Sequence, residues 1–273
     1  MSLFIVALSF AFGAANGVDG GSSVVFGIIV ATVYGLISYY ASMRVALYTS
    51  GAKEISKKDA PELWNLVENL CIANGQPMPG VYIIEDPSPN AFATGRDPEH
   101  SAIVFTTGLL QLLNKQELEG VAAHELSHIK NYDIRVMTIT VVLVGAIALL
   151  ADIFLRSGSR SDSSKNNNGV LILIGIVLAI LAPIVSEVIK LAISRQREYL
   201  ADASGALLTR YPDGLASALQ KLQSANIPLK NANRATAHLY ISSPFAAGGY
   251  LSRMFSTHPP TEDRVARLRS MSL

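Results

Sequence analysis

Charge is scarce in this chain. Of its 273 residues only 16% are Asp, Glu, Lys or Arg, while half are apolar; soluble domains carry roughly 25% charged residues. So little charge does not solvate an ordinary globule of this size. The net charge of +1 and the pI near 7.8 exclude both the basic surplus of a nucleic-acid-binding surface and the acidic surplus of a disordered chain. No nucleic-acid partner is expected. Cysteine is almost absent too. Cys71 alone cannot form an internal disulfide, and its place in the apolar stripe Leu63, Val67, Leu70 and Cys71 suits a buried thiol. There is no phosphate-binding glycine loop, heptad array or internal repeat.

The charges are also unevenly placed. From Met1 to Met43 only Asp19 is charged, whereas the stretch from Arg44 to Arg135 is richly charged. Val24 to Met43 is an uncharged run whose ~20 residues make about 30 Å of helix, the thickness of a bilayer's hydrocarbon core. It reads as a spanning helix. Leu3 to Val18 is a second, shorter apolar run, joined to it by the turn-forming Gly17-Val18-Asp19-Gly20-Gly21. With no Lys or Arg ahead of it, this run reads as half of a helical hairpin rather than as a signal peptide. Val136 to Ala151 and Val170 to Val185 are two further uncharged runs, for which a buried core helix is the competing reading. The polar Ser157 to Gly169 segment between them favours an up-and-down membrane pair with an exposed loop.

Four spans put 44–135 and 191–273 on the same side, where they can build one domain. The expected organisation is a transmembrane hairpin at 1–43, a first part of a catalytic domain at 44–135, a second helix pair at 136–190 and the rest of the domain at 191–273. Lys53, Lys57, Lys58, Lys130, Arg135, Lys190, Arg195 and Arg197 flank membrane ends on that side, so the positive-inside rule places it in the cytoplasm.

Within the first part, His124-Glu125-Leu126-Ser127-His128 is an HExxH pattern. Asn114 is a suitable N-cap with Glu117 three residues on, and Leu118, Val121, Ala122 and Ile129 recur at helical spacing. Residues four apart on a helix share a face, so His124 and His128 can offer ring nitrogens to one ion. Glu125 is rotated by about 100° from His124 and can act on a water beside the metal as general base. Catalytic zinc takes three protein ligands and keeps one open position. Glu198 is the candidate third ligand. Asp202, four residues later on the same face, can accept a hydrogen bond from a ligand histidine.

These features together resemble the HtpX membrane zinc metalloproteases, a family related to the integral-membrane protease that trims prenylated proteins. The likeness covers the paired N-terminal spans, Asn90-Ala91-Phe92-Ala93-Thr94-Gly95, the zinc helix with Asn131-Tyr132-Asp133, two further spans, the Glu198/Asp202 helix and His258-Pro259-Pro260. It implies a mostly α integral-membrane protein with four transmembrane helices and an α+β zincin (gluzincin-type) peptidase domain containing a small sheet. It also implies one Zn2+ per chain on His124, His128 and Glu198, with Glu125 as the base. Val81 to Ile84 and Ala102 to Phe105 read as strands. By resemblance Asn90, Ala91, Phe92, Ala93 and Thr94 form an edge strand on which a substrate adds. His258 and Arg264 are candidate donors to the oxyanion, while His100 and His238 have no partner pattern.

The implied activity is hydrolysis of peptide bonds in misfolded or membrane proteins at the cytoplasmic face of the plasma (inner) membrane, in membrane protein quality control. The expected partners are the lipid bilayer and protein or peptide substrates, with a second copy or quality-control proteins as further candidates. The rival reading is a zinc-stabilised membrane chaperone or adaptor without proteolytic activity. Glu125 argues against it, because a structural site needs no base beside an open coordination position.

Overall fold

A computed structural model of the chain describes residues 17–139, 195–225, 227–230, 236–245 and 259–271, together with 5, 6, 9, 10, 13, 176 and 177. The chain divides into two compact units, Met1–Ser42 with Val142–Glu187, and Met43–Val141 with Val188–Leu273.

Helix α1 runs from Gly20 to Ser50. It starts where the Asp19 carboxylate accepts the Ser22 backbone N–H at 2.9 Å and the Ser22 hydroxyl at 3.2 Å, as an N-cap does. Val25, Phe26, Ile28, Ile29, Leu36 and Ile37 are each more than half exposed. Water would penalise that surface at roughly 25 cal/mol per Å². Among the described residues, α1 is the helix long and apolar enough to cross a membrane. The expected span at Val24 to Met43 lies inside it, but the helix continues past Arg44. Nothing breaks its hydrogen-bond ladder until Gly51, whose φ of 71° is the left-handed conformation glycine favours. The expected spans at 3–18, 136–151 and 170–185, and the loop at 157–169, fall largely outside the described residues.

The second unit holds a four-stranded sheet formed by β1 (Lys53–Glu54), β2 (Gly80–Ile84), β3 (Ala91–Asp97) and β4 (His100–Thr106). Its order is β1-β2-β4-β3, with β2 parallel to β4 and the outer strands antiparallel to their neighbours. The strand expected to stop before Gly95 runs on to Asp97. Gly95 adopts a φ of 146°, and the register with β4 shifts between Gly95 and Asp97, a bulge that bends the strand without ending it.

Helix α2 (Pro61–Asn74) starts with proline in its first turn and stops at Gly75, which has a φ of 63°. The Asp59 carboxylate accepts the Ser56 backbone N–H and hydroxyl at 2.7 and 2.6 Å, and Ala60 holds the cap position of the helix. The stripe Leu63, Val67, Leu70 and Cys71 faces the core. Burial there pushes the Cys71 thiol up to about 11, so at neutral pH it is a packing group and not a nucleophile.

A short helix α3 (Thr107–Leu112) leads into α4 (Lys115–Lys130), which a complete capping box opens. Asn114 Oδ1 accepts the Glu117 N–H at 3.0 Å, and the Glu117 carboxylate accepts the Asn114 N–H at 2.9 Å. Every residue from Gly120 to Ile129 is buried, with α4 packed against β3, α5 (Arg195–Thr209) and α6 (Pro212–Ala225). Two glycines allow this close approach. A Cβ on Gly120 would lie 2.7 Å from the Leu215 backbone N of α6, and one on Gly205 of α5 would lie 3.0 Å from the His124 backbone N. Gly120→Ala therefore forces α4 and α6 apart, and overpacking of this kind costs roughly 1–3 kcal/mol. The thermal midpoint of the detergent-solubilised chain is expected to fall; an unchanged midpoint would mean that the two helices are not in such close contact. The last described helix, α7 (Thr261–Arg269), packs on α6 and α5.

Candidate metal centre

The centre is assembled from one face of α4 and one face of α5. His124 and His128 lie one helical turn apart, with ring centroids 4.7 Å apart and planes at 89°. Their Nε2 atoms come within 3.1 Å of each other. Glu198, from the first turn of α5, places Oε1 3.5 Å from His128 Nε2 and Oε2 3.9 Å from His124 Nε2. All three side chains are buried, and one ligand atom from each lies within 4.8 Å of the others. Among the described residues this is the group of His, Cys, Asp and Glu side chains arranged to hold a metal ion.

The outer nitrogen of each imidazole has its own carboxylate. His124 Nδ1 lies 3.0 Å from Asp202 Oδ1, and His128 Nδ1 lies 3.0 Å from Asp133 Oδ2. Burial lowers the His124 pKa to about 4, even though the Asp202 hydrogen bond favours the charged ring. A neutral ring has one N–H, and beside a carboxylate that proton sits on Nδ1. Burial pushes Asp202 up, but the Arg264 guanidinium and the His124 N–H outweigh it and hold the carboxyl at about 2. Asp202 is thus ionised and accepting.

This pattern fits a divalent cation. With both Nδ1 positions donating, both Nε2 atoms turn lone pairs toward each other at 3.1 Å and toward the Glu198 carboxylate. Three electron-rich donors at that spacing repel unless a positive ion lies among them. The carboxylates Glu125, Asp133, Glu198 and Asp202 are all buried, and among the described residues Arg197 pairs with Asp133, and Arg264 with Asp202 and Glu198. Two imidazoles and a carboxylate are a donor set that suits zinc.

Glu125 is 2% exposed on α4, and its charge is felt by Arg264. Arg264 itself, on α7, is 2% exposed. The expectation that it donates to an oxyanion meets a different geometry. Its Nε donates to Asp202 Oδ2 at 2.8 Å and its Nη2 to Asp202 Oδ1 at 2.6 Å, a bidentate pair, while Nη1 lies 3.9 Å from Glu198 Oε2. Its donors are thus turned to Asp202, the partner of His124, and to Glu198, the candidate third ligand. His258 lies outside the described residues. His100 pairs with Asp97 on the surface, at 2.7 Å. The sequence pattern assigns no role at the metal to Asp133, which enters only through the Asn131-Tyr132-Asp133 likeness, or to Arg197, which enters only as a membrane-flanking charge, yet the two meet beside the centre: Arg197 Nη1 donates to Asp133 Oδ1. The available signal was the five-residue step from His128 to Asp133, which ordinary helix spacing does not connect.

Beside the centre lies β3, the edge strand of the sheet. Asn90 C=O accepts the Thr106 N–H at 3.0 Å, so alternation turns the backbone groups of Ala91 and Ala93 away from β4. Ala91 C=O accepts the Ile241 N–H at 2.9 Å, and the Gly95 N–H donates to Thr138 Oγ1 at 3.0 Å. Asn90, Ala91, Phe92, Ala93 and Thr94 are all buried.

The family model for peptidase family M48 matches residues 57–272. A protease HtpX homolog of Tropheryma whipplei is 50% identical over 253 residues, 92% of this chain and 87% of that one. One from Dictyoglomus thermophilum is 52% identical, over 90% and 82% of the two chains, and one from Lactobacillus helveticus 47%, over 99% and 95%. The crystal structure of S. mikatae Ste24p shares the fold, with a TM-score of 0.56 and 20% identity; the match covers 97% of this chain and 62% of that longer one.

Proposed function

The chain belongs to peptidase family M48 and is a metalloprotease, and from that premise we propose that it is a zinc-dependent membrane endopeptidase. It hydrolyses peptide bonds in misfolded or membrane proteins near the cytoplasmic face, as part of membrane protein quality control. The observation that carries this reading is the convergence of His124, His128 and Glu198 with Glu125 beside them.

Zinc held by His124, His128 and Glu198 would lower the pKa of a coordinated water to about 7 and polarise the scissile carbonyl as a Lewis acid. The chain's own residues do the rest. Asp202 and Asp133 hold the two imidazoles with Nε2 turned inward. Glu125 takes a proton from the attacking water and returns it to the departing amine, the work of a general base and then a general acid. Arg264 fixes Asp202 and faces Glu198, so it sets the ligand cage instead of touching the substrate. His258 is the remaining candidate for a donor to the oxyanion.

The substrate adds as an extended strand to β3 through the outward N–H and C=O of Ala93, between the closures that Ile241 and Thr138 make. Ala91 and Ala93 are 1% and 2% exposed, so a substrate enters by displacing what covers this edge. Backbone recognition selects for unfolded chain and not for one sequence.

Four spans, with the peptidase unit in the cytoplasm, are supported by the exposed apolar face of α1 and by Lys53, Lys57, Lys58, Lys130 and Arg135, which all lie outside the apolar runs. The detergent-solubilised full chain with zinc is expected to degrade unfolded casein and to stop on chelation. A cysteine placed at Ser163 is expected to be labelled from outside intact cells. Casein left intact would contradict the peptidase reading, and labelling only after lysis would contradict the topology.

A further inference from the structure

The two imidazoles of the centre are each braced by a carboxylate, and each carboxylate is braced by an arginine. On one side the chain is Arg264, Asp202, His124, and it is entirely buried. On the other it is Arg197, Asp133, His128, and it ends at the surface: the Arg197 side chain is 50% exposed, against 4% for Asp133. We propose that Arg197 is a positioning residue of the metal centre, acting through Asp133 to fix the orientation and tautomer of His128 and to hold α5 in register with α4. This rests on the metal reading above and adds a residue to it.

The local backbone shows that the second brace is built and not incidental. Five residues along a continuous helix would turn Asp133 about 140° away from His128. The chain avoids this by ending α4 at Lys130 and turning at Asn131 and Tyr132. Tyr132 takes a φ of 60°, an unfavourable conformation for a bulky residue. Its N–H donates to Ile129 C=O at 3.1 Å, and the Arg135 guanidinium lies 5.0 Å over its ring. That strained turn brings the Asp133 carboxylate back to His128 Nδ1, leaving its other oxygen for Arg197.

Arg197 has a second connection to the centre. It directly precedes Glu198, the ligand that α5 contributes. Its bond to Asp133 therefore ties the residue next to the third ligand to the partner of the second. A half-exposed ion pair adds little to global stability. Removing Arg197 is therefore expected to leave the fold intact while loosening the cage, whereas removal of Arg264 would strand Asp202 in the core.

The test is the affinity of the detergent-solubilised full chain for Zn2+, read by competition with a chromophoric chelator. Loss of such an outer partner typically weakens metal binding by ~10–100-fold. Asp133→Asn is expected to fall in that range and Arg197→Ala about 10-fold below wild type, with Arg197→Lys recovering most of the loss because it keeps the charge. If Arg197 acts through Asp133, the double variant Asp133→Asn/Arg197→Ala binds zinc no more weakly than Asp133→Asn alone. Arg197→Gln serves as a second truncation of the charge, and circular dichroism confirms that each variant is folded. Wild-type affinity in Arg197→Ala and Arg197→Gln, or fully additive losses in the double variant, would overturn the proposal. Failure of the wild-type chain to bind zinc at all would instead overturn the metal reading, and this proposal with it.

Discussion

Replacing Glu125 with glutamine is expected to reduce casein turnover by ~10²–10⁴-fold, the range that positioned acid–base catalysis supplies, while zinc content stays at the wild-type level. Glutamine has nearly the shape of glutamate, so a side chain only 2% exposed keeps its packing in α4. It cannot accept the proton that the attacking water must lose. His124, His128 and Glu198, the candidate ligands, are untouched. A variant that kept wild-type turnover would remove Glu125 from the reaction; one that lost both zinc and turnover would make it a ligand and not a base.

Glu198→Ala should have the opposite signature. It removes the one ligand contributed by α5 and leaves two imidazoles, so zinc affinity is expected to drop by more than the ~10–100-fold that follows loss of a ligand's partner. Turnover goes with it. The change also leaves Arg264 Nη1 facing a cavity instead of Glu198 Oε2, which lies 3.9 Å away in the intact chain. Some loss of stability accompanies the metal loss. Metal content and activity should fall in parallel across zinc concentrations, and excess zinc should restore part of the activity. Full zinc retention at sub-stoichiometric metal would show that the third ligand comes from elsewhere.

Much of the centre is legible in the sequence because its determinants are local. The Asn114/Glu117 box, the apolar periodicity and the four-residue spacing of the histidines specify α4 within one stretch of chain. The spacing of Glu198 and Asp202 does the same for the buried face of α5. What spacing leaves open is which distant groups meet. Arg264 finds Asp202 across 62 residues through the packing of α7 on α5, and a helix start rich in proline and acid gives no sign of it. The Asp133 brace is hidden for another reason. It depends on Tyr132 adopting a backbone conformation that its own residue type disfavours. The ends of elements are weakly specified for similar reasons. α1 outruns its apolar stretch because Arg44 is a good helix former, and β3 passes through Gly95 because pairing with β4 resumes at Asp97.

The most direct measurement is zinc K-edge X-ray absorption on the purified full chain. The arrangement of His124, His128 and Glu198 calls for one zinc per chain with two imidazole nitrogens at about 2.0–2.1 Å, the remaining positions filled by oxygen and no sulfur. A third imidazole completing a closed site, a sulfur donor, or zinc that scatters from no imidazole at all would contradict it.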